Sequence, residues 1–269
     1  MAENWKNVAE NLANEIRVKS LIMTSKAKAS HIGSCLSVAD IFATIYSGTA
    51  KISAETVTNP ARDRVLVSKG HVAAAYYAVL ESTGFIDYSA LDSYCQDGAM
   101  LGGHVSSRVN GVELSTGSLG HGLPYGVGLA LGLKVTYPGT RVFVVMSDGE
   151  LDEGTTWESA LIANHHKLDN LVVVVDRNNL QSLDTTENTL ALEPLADKWR
   201  AFGWNVVECD GHDVEQLRDS MNNIGPLIIL ATTIKGRGVS FMNNSVAWHY
   251  RSPSEEELSV ALNELRVKQ

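Results

Sequence analysis

The stretch RVFVVMSDGELDEG (141–154) runs from an apolar segment into Asp148, Glu150, Asp152 and Glu153, four carboxylates within six positions. The apolar part reads as a strand, and TTWESALIANHHKL (155–168) behind it reads as a helix. The same alternation continues. LVVVV (171–175), NVVEC (205–209) and PLIILAT (226–232) read as strands, with LADKWRAFG (195–203) and DVEQLRDSMNN (213–223) as the helices between and around them. Strands apolar throughout, each followed by a helix, predict the α/β class: a mostly parallel sheet flanked by helices on both faces.

Upstream, Trp5, Val8, Leu12, Ile16 and Met23 recur at helical spacing and predict a helix over 3–28. SVADIFATIYSG (37–48) follows, with Ser37 and Asp40 placed as a capping box. RVLVS (64–68) reads as a short buried strand, and GHVAAAYYAVLESTG (70–84) as a helix closing at Gly84. The Gly- and Ser-rich segment 97–118 reads as a long loop, of the kind that carries function. The glycine-rich helix expected over 119–136 is a candidate for interface packing, because its glycines cost helix stability that close approach of another surface would offset. SPSEEELSVALNELRVK (252–268) is a terminal helix capped by Ser254 and Glu257. One domain over 1–269 is the natural reading, with a domain end at the last helix.

A net charge of −9 and a pI near 5.4 argue against nucleic acid or an anionic membrane as the main partner. The N-terminus is no signal peptide, and the longest apolar stretch, LPYGVGLALGL (123–133), is too short to span a bilayer. Cys35, Cys95 and Cys209 are scattered, without CxxC spacing, and read as buried reduced thiols of a cytoplasmic protein.

A right-handed crossover makes the strands at 141–146 and 171–175 parallel, so their carboxyl ends share one edge of the sheet. Ligands bind at that edge in open α/β sheets. Asp148 follows the first strand, and Asp176 and Asn178 follow the second. A carboxylate, a carboxamide and a backbone carbonyl make a hard oxygen site that suits Mg²⁺ when phosphate oxygens complete it. Gly149 would let the backbone approach that phosphate, and the helix beginning near Thr155 would aim its amides at the same region. Glu153 and Glu158 are candidates for a hydrogen-bond network, with Glu150 and Asp152 read as solvated first-turn charges.

SDGELDEGTTWESA followed by DRNNLQ resembles the thiamine-diphosphate signature, with Ser147 in place of its first glycine. ASHIGSCLSVADI (29–41), SKGHVAAAYY (68–77), LGGHVSSRVNGVELSTGSLGHGL (101–123), GHDVEQL (211–217) and TTIKGRGVSFMNNSVAWH (232–249) narrow the resemblance to transketolase, in family order along nearly the whole chain. The resemblance implies thiamine diphosphate as cofactor. Asp148, Asn178 and the Leu180 carbonyl would hold Mg²⁺, with Ca²⁺ or Mn²⁺ as substitutes. His71 and Gly149 would lie near the diphosphate, with Glu150 at that same end. Gly117 and Leu119 would contact the aminopyrimidine. His31, His104 and His249 would line the substrate channel as catalytic groups. Glu153 and Glu158 would belong to an acidic network near a subunit interface. His121 stands where the family often has Gln and carries no catalytic expectation; His165 and His166 read as structural residues at a helix end.

Thiamine chemistry in this family also needs a glutamate on the pyrimidine ring, contributed by a second domain across a subunit interface. No segment here resembles that domain, and Glu150 and Glu153 fall at the diphosphate end. The resemblance therefore implies one half of a split transketolase. A partner subunit would carry the pyrimidine-binding and C-terminal domains in an α2β2 assembly acting on sugar phosphates. Its reaction would be transfer of a two-carbon ketol unit from a ketose to an aldose. An α-type subunit of a 2-oxo acid dehydrogenase or acyloin-forming synthase, or a non-catalytic binding subunit, are the alternatives.

Overall fold

The computed structural model describes residues 2–267. In chain order the elements are α1 (Ala2–Ala27), α2 (Ile32–Ser37), α3 (Ala39–Thr44), β1 (Arg64–Val67), α4 (Ala73–Ser82), α5 (Tyr88–Leu91) and α6 (Gly122–Thr136). Then come β2 (Val142–Ser147), α7 (Gly154–His165), β3 (Leu171–Arg177), α8 (Thr186–Thr189), α9 (Leu195–Ala201), β4 (Asn205–Asp210), α10 (Val214–Met221), β5 (Leu227–Thr232) and α11 (Glu255–Val267).

The strands form one five-stranded sheet in the order β1-β2-β3-β5-β4. Every pairing is parallel. Alternate side chains feed two cores. Val65, Val67, Phe143, Val145, Val172 and Val174 pack under the helices of the N-terminal half and α10. Leu66, Val142, Val144, Met146, Val173 and Val175 pack under α6, α7 and α9, where Trp199 and Trp204 fill the space. Burial on both faces explains why β2 and β3 are apolar at nearly every position. β4 departs from that rule. It is one of the two edge strands and, unlike β1 at the other edge, is half exposed, so its Asn205 and Glu208 meet solvent.

Two local expectations are corrected. Ser37 and Asp40 form no capping box. Ser37 closes α2 and donates its hydroxyl to Asp176 Oδ2 at 2.6 Å, while Asp40 pairs with Arg17. Of the three free thiols only Cys35 is buried; Cys95 is exposed because it sits in the turn after α5. Val8 is exposed, since the inward face of α1 runs through Ala9, Ala13, Ile16 and Leu21. The cap of α11 is as expected: Ser254 Oγ accepts the Glu257 N–H at 3.2 Å, and Glu257 Oε2 accepts the Ser254 N–H at 2.9 Å.

The glycines of α6 divide by face. A Cβ on Gly126 would lie 2.6 Å from Val144 Cγ2 and 3.2 Å from Leu66 Cδ1, whereas Gly128 and Gly132 face open space. Gly126 is thus what lets α6 sit directly on the sheet. Gly126→Ala is expected to destabilise the fold by about 1–3 kcal/mol through overpacking. Gly132→Ala should raise stability by up to about 1 kcal/mol through helix propensity. Thermal unfolding checks the order, with Gly126→Ala below the wild type and Gly132→Ala at or above it; equal shifts would refute this assignment of faces.

Candidate active site

Parallel strands bring the ends of β1, β2, β3 and β5 to one edge, and a cavity of about 230 Å³ opens there. It is lined by Asp148 and Gly149 after β2, by Asn178 and Leu180 after β3, and by Lys235 after β5. The N-terminal half adds His31, His71 and His104, the long loop adds Gly117 and Leu119, and the turn before α11 adds His249 and Tyr250. The site residues expected from the sequence therefore meet in one place, except three carboxylates described below.

Asp148 is buried. Its Oδ1 accepts the Gly149 N–H at 2.9 Å and its Oδ2 accepts the Asn179 N–H at 2.6 Å. Burial, with the charge of Asp176 added, pushes its carboxyl up to about 6. Arg177 Nη1, 3.6 Å from Oδ2, acts against that shift. Asn178 Oδ1 accepts the Leu180 N–H at 3.1 Å. That bond fixes the two-residue turn that carries the Leu180 carbonyl to the cavity. Carboxylate, amide and carbonyl oxygens are hard donors, so this set fits Mg²⁺. It is short of a full coordination shell. Among the described residues no group of three or more His, Cys, Asp or Glu side chains gathers to hold a metal.

Lys235 supplies the second test of fit. It is 1% exposed, yet Nζ meets only neutral groups: the Leu180 carbonyl at 3.2 Å, the Gln181 carbonyl at 3.4 Å and His249 Nδ1 at 3.0 Å. Burial, and then the charge of Lys69, lower its pKa to about 8. A buried ammonium without an ion-paired carboxylate wants an anion. Lys69 differs. It is fully buried and paired with Asp176 at 2.6 Å. Both lysines lie inside segments that carry the family resemblance, SKGHVAAAYY and TTIKGRGVSFMNNSVAWH, but neither has a role predicted from the sequence.

The imidazoles form one cluster. The His31 ring lies 5.2 Å from His71, 5.9 Å from His104 and 4.9 Å from His249, centroid to centroid. His31 has φ of 76° and Asn179 has φ of 63°, left-handed conformations that cost non-glycine residues on the order of 1 kcal/mol or more. The His31 N–H donates to the His249 carbonyl at 2.8 Å, which holds this strained residue over the cavity. Burial lowers His31 to about 4, with His104 and Lys235 adding to the effect. Burial and the charge of Lys235 lower His249 to about 3. His71 falls well below its usual value, through burial and then Lys69. These three rings are neutral at pH 7.

The acidic cluster does not behave as expected. Glu150 is fully buried rather than solvated. The chain turns through a short 3-10 segment, Gly149–Asp152, which drives this side chain under the loop at Gly120. Its Oε1 accepts the Gly120 N–H at 2.8 Å and the Ser68 hydroxyl, and burial raises its pKa. Asp152 is half-buried and accepts from Gln181 Nε2 at 2.8 Å. Glu153 and Glu158 are exposed near the start of α7, and neither they nor Glu150 line the cavity. The start of α7 does not line the cavity either, because the 3-10 turn intervenes.

A buried ammonium beside hard oxygen donors lies at the carboxyl ends of the strands, where open α/β sheets bind their ligands. Comparison with known proteins narrows the class. The chain belongs to the transketolase family, an enzyme family: residues 8–267 match the family model described as transketolase, thiamine diphosphate binding domain. It is 38% identical over 260 residues to an apulose-4-phosphate transketolase subunit of Phocaeicola vulgatus, covering 94% of this chain and 92% of that one. It is 36% identical over 262 residues to a 6-deoxy-6-sulfo-D-fructose transketolase subunit of a Clostridium species, covering 95% of each. Among solved structures, transketolase from Campylobacter jejuni superposes with a TM-score of 0.90 at 26% identity, over 97% of this chain and 43% of that one. The chain likewise spans 39% of human transketolase, at 34% identity over 243 residues. The fold is thus a thiamine-diphosphate-binding α/β domain. No helix among the described residues is long and apolar enough to cross a membrane.

Proposed function

We propose that this chain is the diphosphate-binding subunit of a two-chain transketolase that moves a two-carbon ketol unit from a ketose phosphate to an aldose. The observation that carries the reading is Lys235, buried with no carboxylate in direct contact among the described residues, in the cavity that Asp148, Asn178 and Leu180 also line. In this reading the three oxygen donors hold Mg²⁺, and Lys235, His71 and Gly149 face the diphosphate. Gly117 and Leu119 support the aminopyrimidine. When bound, thiamine diphosphate supplies the carbanion chemistry that breaks and makes the carbon–carbon bond. His31, His104 and His249 receive and orient sugar hydroxyls. A neutral imidazole presents one donor and one acceptor, which suits a hydroxyl that must give up or regain a proton. Burial is the main cause that depresses His31 and His249; a diphosphate next to Lys235 would offset only the smaller contribution of that lysine's charge.

Relatives that this chain covers almost end to end are named as subunits, and the outward surface of α6 and α7 supports a partner. Tyr125, Gly128, Gly132 and Val135 follow one another at helical spacing along α6, with Leu161 and Ile162 exposed on the neighbouring α7. Two open glycines on an apolar stripe let another helix approach closely. The proposed occupant is the pyrimidine-binding subunit, in an α2β2 assembly, with Glu153 and Glu158 at the edge of the contact. A cytoplasmic site of action suits the three free thiols.

The test is reconstitution. The co-purified assembly, with Mg²⁺ and thiamine diphosphate, should transfer glycolaldehyde units between sugar phosphates, and this chain alone should be silent. Chelation of Mg²⁺ should remove both activity and cofactor binding. Turnover by the chain alone, or decarboxylation of a 2-oxo acid in place of ketol transfer, would defeat the proposal.

A further inference from the structure

A second buried polar cluster lies outside the cavity and joins α1, α3 and the turn after β4. Arg17 Nη1 donates to Asp40 Oδ1 at 3.2 Å, Nη2 pairs with Oδ2, and Nε donates to the Leu36 carbonyl at 3.1 Å. His212 Nδ1 lies 2.7 Å from Asp40 Oδ2, and its Nε2 accepts the Ile234 N–H at 2.8 Å. These two bonds set the tautomer. A backbone N–H can only donate, so Nε2 offers its lone pair and the proton sits on Nδ1, facing the carboxylate.

Ile234 directly precedes Lys235. The segment around them is held on both sides of Lys235, and the Lys235 carbonyl itself accepts the Asn244 N–H at 2.8 Å. The Thr233 hydroxyl donates to Asp176 Oδ1, the Ile234 N–H donates to His212, and the Gly236 N–H donates to the Gly33 carbonyl at 2.9 Å. Between these anchors the side chain of Lys235 reaches the cavity.

We propose that His212 is a positioning residue for the lysine that faces the diphosphate: by accepting the Ile234 N–H it sets the backbone from which Lys235 extends, while Asp40 and Arg17 hold the ring in the required tautomer. The proposal rests on the reading of the cavity as a Mg²⁺–diphosphate site. Without this acceptor the Ile234 N–H loses its partner, and the lysine loses the anchor at the residue directly before it.

Two variants separate positioning from simple packing. His212→Gln places an amide oxygen near the former Nε2 and can still accept from Ile234. His212→Asn reaches only to the Nδ1 position, so it keeps a contact to Asp40 and abandons Ile234. Amide exchange over 233–236 is read on the chain itself. The affinity for inorganic diphosphate with Mg²⁺ is read on the assembly. The Asn variant should lose exchange protection and bind about tenfold or more weakly, the scale seen when a supporting hydrogen bond at a metal site is removed, with the Gln variant within about threefold of wild type on both measures. Equal behaviour of the two variants, or an imidazole ¹⁵N signature of the Nε2–H tautomer, overturns the role of His212. A wild-type assembly that binds no Mg²⁺–diphosphate defeats the reading of the cavity instead, while exchange at Ile234 still decides whether His212 holds that backbone.

Discussion

Asp148→Asn is expected to weaken binding of Mg²⁺ with thiamine diphosphate by at least about 100-fold, because changes to groups that merely support a metal ligand already cost 10–100-fold. Each carboxylate oxygen of Asp148 spends one lone pair on a backbone N–H, from Gly149 or from Asn179. Oδ2 also faces Arg177 Nη1 at 3.6 Å, and Asp148 lines the cavity. An amide at this position removes the negative charge. It also sets an –NH2 group against one of those two N–H donors, so the side chain must rotate or leave a donor unmet. Titration calorimetry of the assembly measures the loss, and thermal unfolding confirms that the variant is folded. Binding within about threefold of wild type would refute a metal role for this residue, since removal of a charged ligand cannot be that cheap.

Lys69→Met is expected to destabilise the chain by about 3–5 kcal/mol, the scale for removing one partner of a buried ion pair. Lys69 and Asp176 are both fully buried, with Nζ and Oδ2 2.6 Å apart. Asp176 also accepts hydrogen bonds from the hydroxyls of Ser37 and Thr233. Burial alone would raise its carboxyl, and Lys69 holds it below the usual range instead. Without the lysine, a buried anion keeps only two neutral donors. At about 2–4 °C per kcal/mol for a chain of this size, Tm should fall by roughly 10 °C. The double change Lys69→Met with Asp176→Asn should recover a large part of that loss, because no unpaired charge is then left inside. If the double variant were no more stable than the single, the charge argument would fail. The pair matters for the site as well. Ser37 closes α2, whose first turn is preceded by His31, so Asp176 ties the histidine cluster to the end of β3.

Much of the site was legible because a parallel sheet has simple geometry. Once two apolar strands are joined by a helix, the residues after them share an edge, and Asp148 and Asn178 must approach each other. The segments holding His31, His71, His104 and His249 carry their own sequence signatures, and the fold gathers them around His31. Glu150 shows where such reasoning stops. A glutamate in a run of acids after a strand looks solvated, and nothing in its neighbours along the chain reveals that Ser68 and Gly120 close over it. Lys235 is a similar case. Its segment carries the family resemblance, but nothing along the chain reveals that the lysine is buried against the Leu180 carbonyl and His249.

What the order of residues settled was periodicity and adjacency: which segments are strands, that they run parallel, and therefore which ends meet. Burial, hydrogen-bond partners and the sign of each pKa shift depended on contacts between positions far apart in the chain, such as Asp40 with His212, or Lys69 with Asp176. A side chain's electrostatic state follows from the medium and charges around it. Those are set by whichever distant segments fold over it, and not by its neighbours in the chain.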